Sequence, residues 1–112
     1  MLKKVSFKYK GKRFSILAKH CNFFEEAKGL MFTRREKAKV LLFEFKKPVN
    51  FRIHSLFVFF PFLAIWLDER GKVIEIKKIR PFVFSIKPRK AYKKLLEIPL
   101  NKKYKGTTKF LS

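Results

Sequence analysis

The stretch that most limits how this chain can fold is SLFVFFPFLAIWL, residues 55–67. It carries no charge, and Asp68 closes it. As a helix it would reach only about 20 Å, short of the roughly 30 Å hydrocarbon core of a bilayer. Pro61 falls in its middle, where a helix would break. Read as strands, the stretch divides at Pro61 into 55–60 and 62–67. Phe, Val, Ile and Trp favour strands, and unbroken apolarity predicts burial on both faces. The block therefore reads as the central core, and its aromatic rings as core filling, not as a stacking surface.

The flanking segments read the same way. In 4–10, Val5, Phe7 and Tyr9 alternate with Lys4, Ser6, Lys8 and Lys10, the pattern of a half-buried strand. A turn at Gly11 and Lys12 returns the chain through 13–19, giving a hairpin. Asn22 and Glu25 have the spacing of a helix N-terminal box, and Phe23, Phe24, Ala27, Leu30 and Met31 form a helical stripe. A short helix near residues 22–31 follows, with Gly29 near its end. Residues 33–39 read as a charged loop or helical turn. Strands are expected at 40–45, 51–60, 62–68, 72–79 and 93–98, with a turn at 68–71 and an extended piece at 82–87. The tail 101–112 reads as a basic tail or an edge strand. With 112 residues there is room for one domain and one core. The expected class is α+β, mostly β: a small, compact, barrel-like, antiparallel-rich sheet with one short helix.

Charge is the second constraint. Lys and Arg number 29 against 8 acids, a formal charge of +21. Such a chain repels itself when compact and attracts polyanions. Abundant Lys, Ile and Phe suit a thermophile, but thermophile surfaces pair Lys with Glu, so heat adaptation leaves the excess unexplained. The cations gather in three groups. The first holds Lys3, Lys4, Lys8, Lys10, Lys12 and Arg13. The second holds Arg34, Arg35, Lys37 and Lys39. The third holds Lys77, Lys78, Arg80, Lys87, Arg89, Lys90, Lys93, Lys94, Lys102, Lys103, Lys105 and Lys109, with Glu97 the sole acid beyond residue 76. Tyr92 and Tyr104 sit within the last group, where an exposed ring can stack on a base. The segment IKPRKAYKK, residues 86–94, is the leading candidate for contact.

Catalytic and metal patterns are missing. The lone Cys21 cannot form an internal disulfide and reads as a small buried hydrophobe in a reducing, cytoplasmic compartment. No signal peptide is evident. His20, Cys21 and His54 are too dispersed for a metal set. Ser55, His54 and Asp68 lack the geometry of a nucleophile with its base. The four glycines are scattered and form no phosphate loop. No enzyme activity, cofactor or metal is expected.

Several motifs, in order, carry a family likeness: GLMFTRR at 29–35, LLFEF at 41–45, FRIHSLFVFFPFLAIWLDERGKVIEI at 51–76 and KLLEIP at 94–99. Across roughly 20–100 the chain resembles the archaeal form of the domain of unknown function 192 family. The resemblance implies a compact β-rich domain with a short helix and no established activity. Relatives usually carry Asp two residues after the proline of the apolar segment, where this chain has Leu63. They also usually carry a later Gly-Asp pair. Here Gly106 has no following Asp.

The expected function is RNA binding, as a small ribosomal or ribonucleoprotein component. Its partners would be RNA, ribosomal RNA first, and neighbouring ribonucleoprotein subunits. Phosphate attraction alone leaves DNA open. The alternative is a small-ligand or enzymatic domain with its pocket near residues 51–68. A peripheral role on anionic lipid is a third reading, without membrane insertion.

Overall fold

The computed structural model describes residues 2–21 and 29–111. Six strands form one sheet in the order β1-β2-β3-β6-β4-β5. They are β1 (Leu2–Tyr9), β2 (Lys12–His20), β3 (Leu41–Val49), β4 (Phe62–Leu67), β5 (Val73–Ile79) and β6 (Tyr92–Pro99). All neighbours are antiparallel except β2 and β3, which meet in parallel at Lys19↔Leu41 and His20↔Leu42. The sheet curls into a half-barrel. Its two edges approach where the β4–β5 turn comes beside β1: a Cβ on Gly71 would lie 3.9 Å from the Ser6 carbonyl oxygen.

Strand alternation divides the core between the two faces of the sheet. Phe62, Ala64, Trp66, Leu41, Phe43 and Leu95 pack on one face. Leu63, Ile65, Leu67, Leu42, Leu96 and Ile98 pack on the other, against Val5, Phe7, Phe14 and Ala18 of the first hairpin. Every residue of β4 is buried, as the unbroken run 62–67 requires of a strand covered on both faces. The first hairpin turns at Lys10 and Gly11, whose φ values of 50° and 78° are those of a two-residue turn. Asp68 closes the β4–β5 turn by accepting from the backbone N–H of Arg70 and Lys72, at 2.8 and 2.9 Å.

Four expectations need correction. Residues 51–60 form a tethered loop, with one isolated bridge between Ile53 and Ile86. The reason is Ser55, which the strand reading ignored. Its buried hydroxyl donates to the Arg80 carbonyl at 2.5 Å and accepts from Val83 N–H at 2.7 Å, pinning the loop to 80–83. Second, β3 runs on through Lys46, Lys47 and Pro48 to Val49, beyond the expected end at residue 45. A register shift between Glu44 and Val49 accommodates the proline. Third, 102–104 form a 3-10 turn and α1 (Lys105–Leu111) follows, replacing the expected tail or edge strand. Asn101 caps this end: its side chain accepts from Tyr104 N–H and donates to the Arg35 and Ala38 carbonyls. Leu111 and Tyr104 then pack on the hairpin side of the core. Fourth, residues 29–31 of the expected helix lie in a turn that runs on to Phe32; residues 22–28 lie outside the described residues.

Candidate functional site

The cationic surface begins on the first hairpin. Alternation sends Lys4 and Lys8 of β1 outward, and register sets Lys8 directly opposite Arg13 of β2. Like charges opposed across a ladder repel, and no acid lies on either strand to relieve them. Lys10 and the exposed Lys12 extend this edge, although Lys12 is engaged: its ammonium lies 3.4 Å from the centre of the Phe110 ring. Arg34, Arg35, Lys37 and Lys39 are exposed around a 3-10 turn, and Arg35 also donates to the Leu100 carbonyl. Lys78, Arg80, Lys87, Arg89, Lys90, Lys102, Lys103, Lys105 and Lys109 are exposed as well.

Some cations already have partners. Glu44 gathers Lys3, His20 and Lys94, with Lys3 at 2.8 Å. The hydrogen bond from Lys3, with the charges of Lys3, Lys94 and His20, holds the Glu44 carboxyl below its ordinary range against the opposing effect of burial. Lys77 pairs with Glu75 and donates to the Lys87 carbonyl. The segment 86–94 therefore divides. Residues 87 and 89–91 are exposed, with Arg89 anchored on Glu75 and the Ile74 carbonyl, whereas 92–94 enter β6. Lys93 and Lys94 are half-buried there. Tyr92 cannot stack on a base: its ring is buried against Trp66 and Phe45, and its hydroxyl donates to the Phe51 carbonyl. Tyr104 is half-buried, and its hydroxyl accepts from Val40 N–H.

The aromatic surface joins two rings of the block read as core to two from neighbouring loops. Phe57 and Phe59 are 50 % and 57 % exposed, beside Phe32 and Phe82 at 67 % and 54 %. The rings form a chain. Phe57 stacks on Phe32 at 5.2 Å between centroids, Phe32 meets Phe59 at 6.3 Å, and Phe59 meets Phe82 at 5.6 Å. Phe32, Phe57 and Phe82 all have left-handed backbone, with φ of 58°, 61° and 63°. That region costs a residue with a Cβ on the order of 1 kcal/mol. Three loops thus hold strained backbone and expose a phenylalanine ring each. The loops are joined by hydrogen bonds from Phe32 N–H to the Phe57 carbonyl and from Phe82 N–H to the Ser55 carbonyl.

A cleft of about 330 Å³ opens on the Trp66 face of the sheet, between β3, β6 and the 51–58 loop. Its walls include Met31, Phe43, Phe45, Phe51 and Leu95, with Arg52, His54 and Glu97 as polar members. Glu97 lies on β6 between Leu41 of β3 and Ala64 of β4, and only 6 % of it is exposed. Burial pushes its carboxyl up to about 8. Sequence reasoning missed this residue by treating it as the stray acid of a basic segment. The available signal was its parity with Leu95, since alternation sends 95 and 97 to one face. Leu63 lies on the opposite face, packed in the hairpin-side core, so the residue standing at the relatives' Asp position does not border this cleft.

Comparison with known proteins places this geometry. The model of the DUF192 family, described as "Uncharacterized ACR", matches residues 7–105. The chain belongs to the DUF192 family. A UPF0127 protein of Pyrococcus abyssi (strain GE5 / Orsay) is 29 % identical over 79 residues, covering 70 % of this DUF192 chain and 67 % of that protein. A protein of unknown function from Novosphingobium aromaticivorans DSM 12444 shares the fold at a TM-score of 0.75 and 17 % identity, covering 96 % of this chain and 79 % of that one. A chain described as a candidate transcription regulator from Sinorhizobium meliloti 1021 reaches 0.78 at 19 % identity, covering 98 % and 84 %. At such identities these two likenesses establish the fold alone. Among the described residues of this DUF192 chain, no helix is long and apolar enough to cross a membrane.

Proposed function

We propose that this DUF192 protein binds RNA, taking unpaired bases on its phenylalanine surface and phosphates on the surrounding Lys and Arg. The observation that carries the reading is the exposed chain Phe57, Phe32, Phe59 and Phe82 on a molecule of charge +21. Strained backbone is retained at three of these rings, and nothing in the core requires them to face solvent. Arg34 and Arg80, both exposed, lie two residues from Phe32 and Phe82 in the chain, so cations accompany the rings. Aromatic stacking contributes about 1–3 kcal/mol per base with little sequence preference, and phosphate neutralisation adds a salt-dependent attraction. Ribosomal RNA remains the first candidate because a small cationic domain suits a large folded RNA. No catalytic step is part of this reading.

The test is fluorescence anisotropy with a labelled 12-nucleotide oligouridylate from 50 to 300 mM KCl. Binding should weaken steeply as salt rises. Joint replacement Phe57→Ala and Phe82→Ala should cost about tenfold at every salt concentration and leave the slope unchanged. Joint replacement Arg34→Gln and Arg80→Gln should flatten the slope. Absence of binding at 50 mM KCl would overturn the proposal. So would phenylalanine-dependent flotation with phosphatidylserine vesicles in the absence of RNA binding, which would transfer the same surface to a membrane.

A further inference from the structure

We infer that the cleft between β3, β6 and the 51–58 loop is a binding site for a small planar organic anion, with Glu97 holding the buried end and Arg52 the charged end. The inference stands apart from RNA binding, because it rests on the cleft and not on the phenylalanine chain.

Four observations carry it. The first is shape: about 330 Å³ falls within the usual range for small-molecule sites, and the walls are mainly apolar and aromatic. The second is Glu97 itself. Its side chain is more than nine-tenths buried, lines the cleft and takes no hydrogen bond from another described residue. Buried polar groups are almost always partnered, so a buried acid facing a cavity is a group that a ligand would satisfy. With its carboxyl raised to about 8 by burial, it is protonated at neutral pH and offers one O–H donor besides its acceptor oxygens. The third is space beside that acid. Gly29, at φ +53°, lies over it, and an added Cβ there would come within 3.6 Å of Oε1.

The fourth observation sets the sign of the ligand charge. The groups sharing the cleft with Glu97 among the described residues are Arg52, His54 and Tyr92. The Tyr92 hydroxyl is committed to the Phe51 carbonyl. His54 Nδ1 accepts from Leu56 N–H at 3.1 Å, which leaves Nε2 to carry the proton as a donor. Arg52 is exposed and is held by one bond to Ser85 Oγ at 3.1 Å, leaving guanidinium donors for an anion. The whole molecule repels cationic ligands and draws in anions. Phe43, Phe45 and Phe51 supply the faces against which a flat ring packs.

Indole-3-acetate has this chemistry: a ring, an N–H for the buried acid and a carboxylate for Arg52. The experiment titrates it at pH 6.5 into protein carrying ¹³C-methyl methionine, with the cleft residue Met31 as reporter. The Met31 resonance should shift saturably, with a dissociation constant below about 1 mM. Arg52→Gln should weaken indole-3-acetate about tenfold and leave indole-3-acetamide unchanged. 1-Methylindole-3-acetate, which lacks the N–H, should bind more weakly to the native protein. Between pH 6.5 and 9.5 affinity should fall about tenfold as Glu97 ionises beside the anion, and Glu97→Gln should abolish that fall. The Phe57→Ala and Phe82→Ala replacements, which address RNA, should leave the titration unchanged. A Met31 resonance unmoved by 10 mM probe would overturn the site. Equal affinity for acetate and acetamide would overturn the assignment of an anion.

Discussion

Two residues concentrate the energetics, and neither announces itself by composition. Ser55 sits in the middle of the apolar block, yet its hydroxyl and backbone make four of the bonds that join the 51–60 loop to 80–83. Ser55→Ala leaves the half-buried Val83 N–H without this side-chain acceptor and the Arg80 carbonyl without its donor, so a loss of about 1–3 kcal/mol is expected in urea unfolding. Glu97 acts through pH. In the unfolded chain it titrates near its ordinary 4.5, and in the folded chain at about 8. Between those values the folded state keeps a proton that the unfolded state has released. The stabilising difference is fully present below pH 4.5 and fades as pH rises through 8, by on the order of 1 kcal/mol per unit. Unfolding of Glu97→Gln beside the native protein from pH 4 to 9 isolates this contribution. The native protein should lose stability relative to the variant as pH rises, and parallel curves would contradict the buried acid.

At the scale of elements, the apolar block shows how one composition produces two structures. Residues 62–67 lie between β5 and β6 and are covered on both faces, so every side chain is buried. Residues 55–60 have similar residues but no sheet neighbours. There Val58 and Phe60 turn inward, while Phe57 and Phe59 turn out. The difference predicts opposite responses to truncation. Phe60→Ala should cost about 3–5 kcal/mol by opening a cavity. Phe57→Gly relieves a left-handed backbone and loses one half-exposed ring, so calorimetry should find a change smaller than about 1 kcal/mol. A large loss at Phe57 would mean that the ring serves the core. The terminal helix is a second lesson. Its signal was Asn101, a capping residue three positions before the Tyr104 N–H it bonds, but a run of lysines hid it.

For the whole molecule, self-repulsion dominates. Glu44 is the main meeting point of opposite charges among the described residues, where few of the exposed Lys and Arg side chains enter an ion pair. Added KCl should therefore raise the thermal midpoint between 20 and 200 mM by screening repulsion, contrary to a fold held by ion pairs. A midpoint that falls with salt in scanning calorimetry would contradict this. The sequence by itself determined the β-rich class, the first hairpin, β4, the turn at Asp68 and the cationic surface. Those features follow from local alternation, turn residues and net charge, which need no knowledge of distant contacts. Only the tertiary structure decided that Tyr92 is core and Phe57 is surface, that Leu63 and Glu97 face opposite sides of one sheet, and that a cleft opens over Glu97. Each depends on which strands become neighbours, and pairing between segments far apart in the chain is set by the packing of the whole sheet.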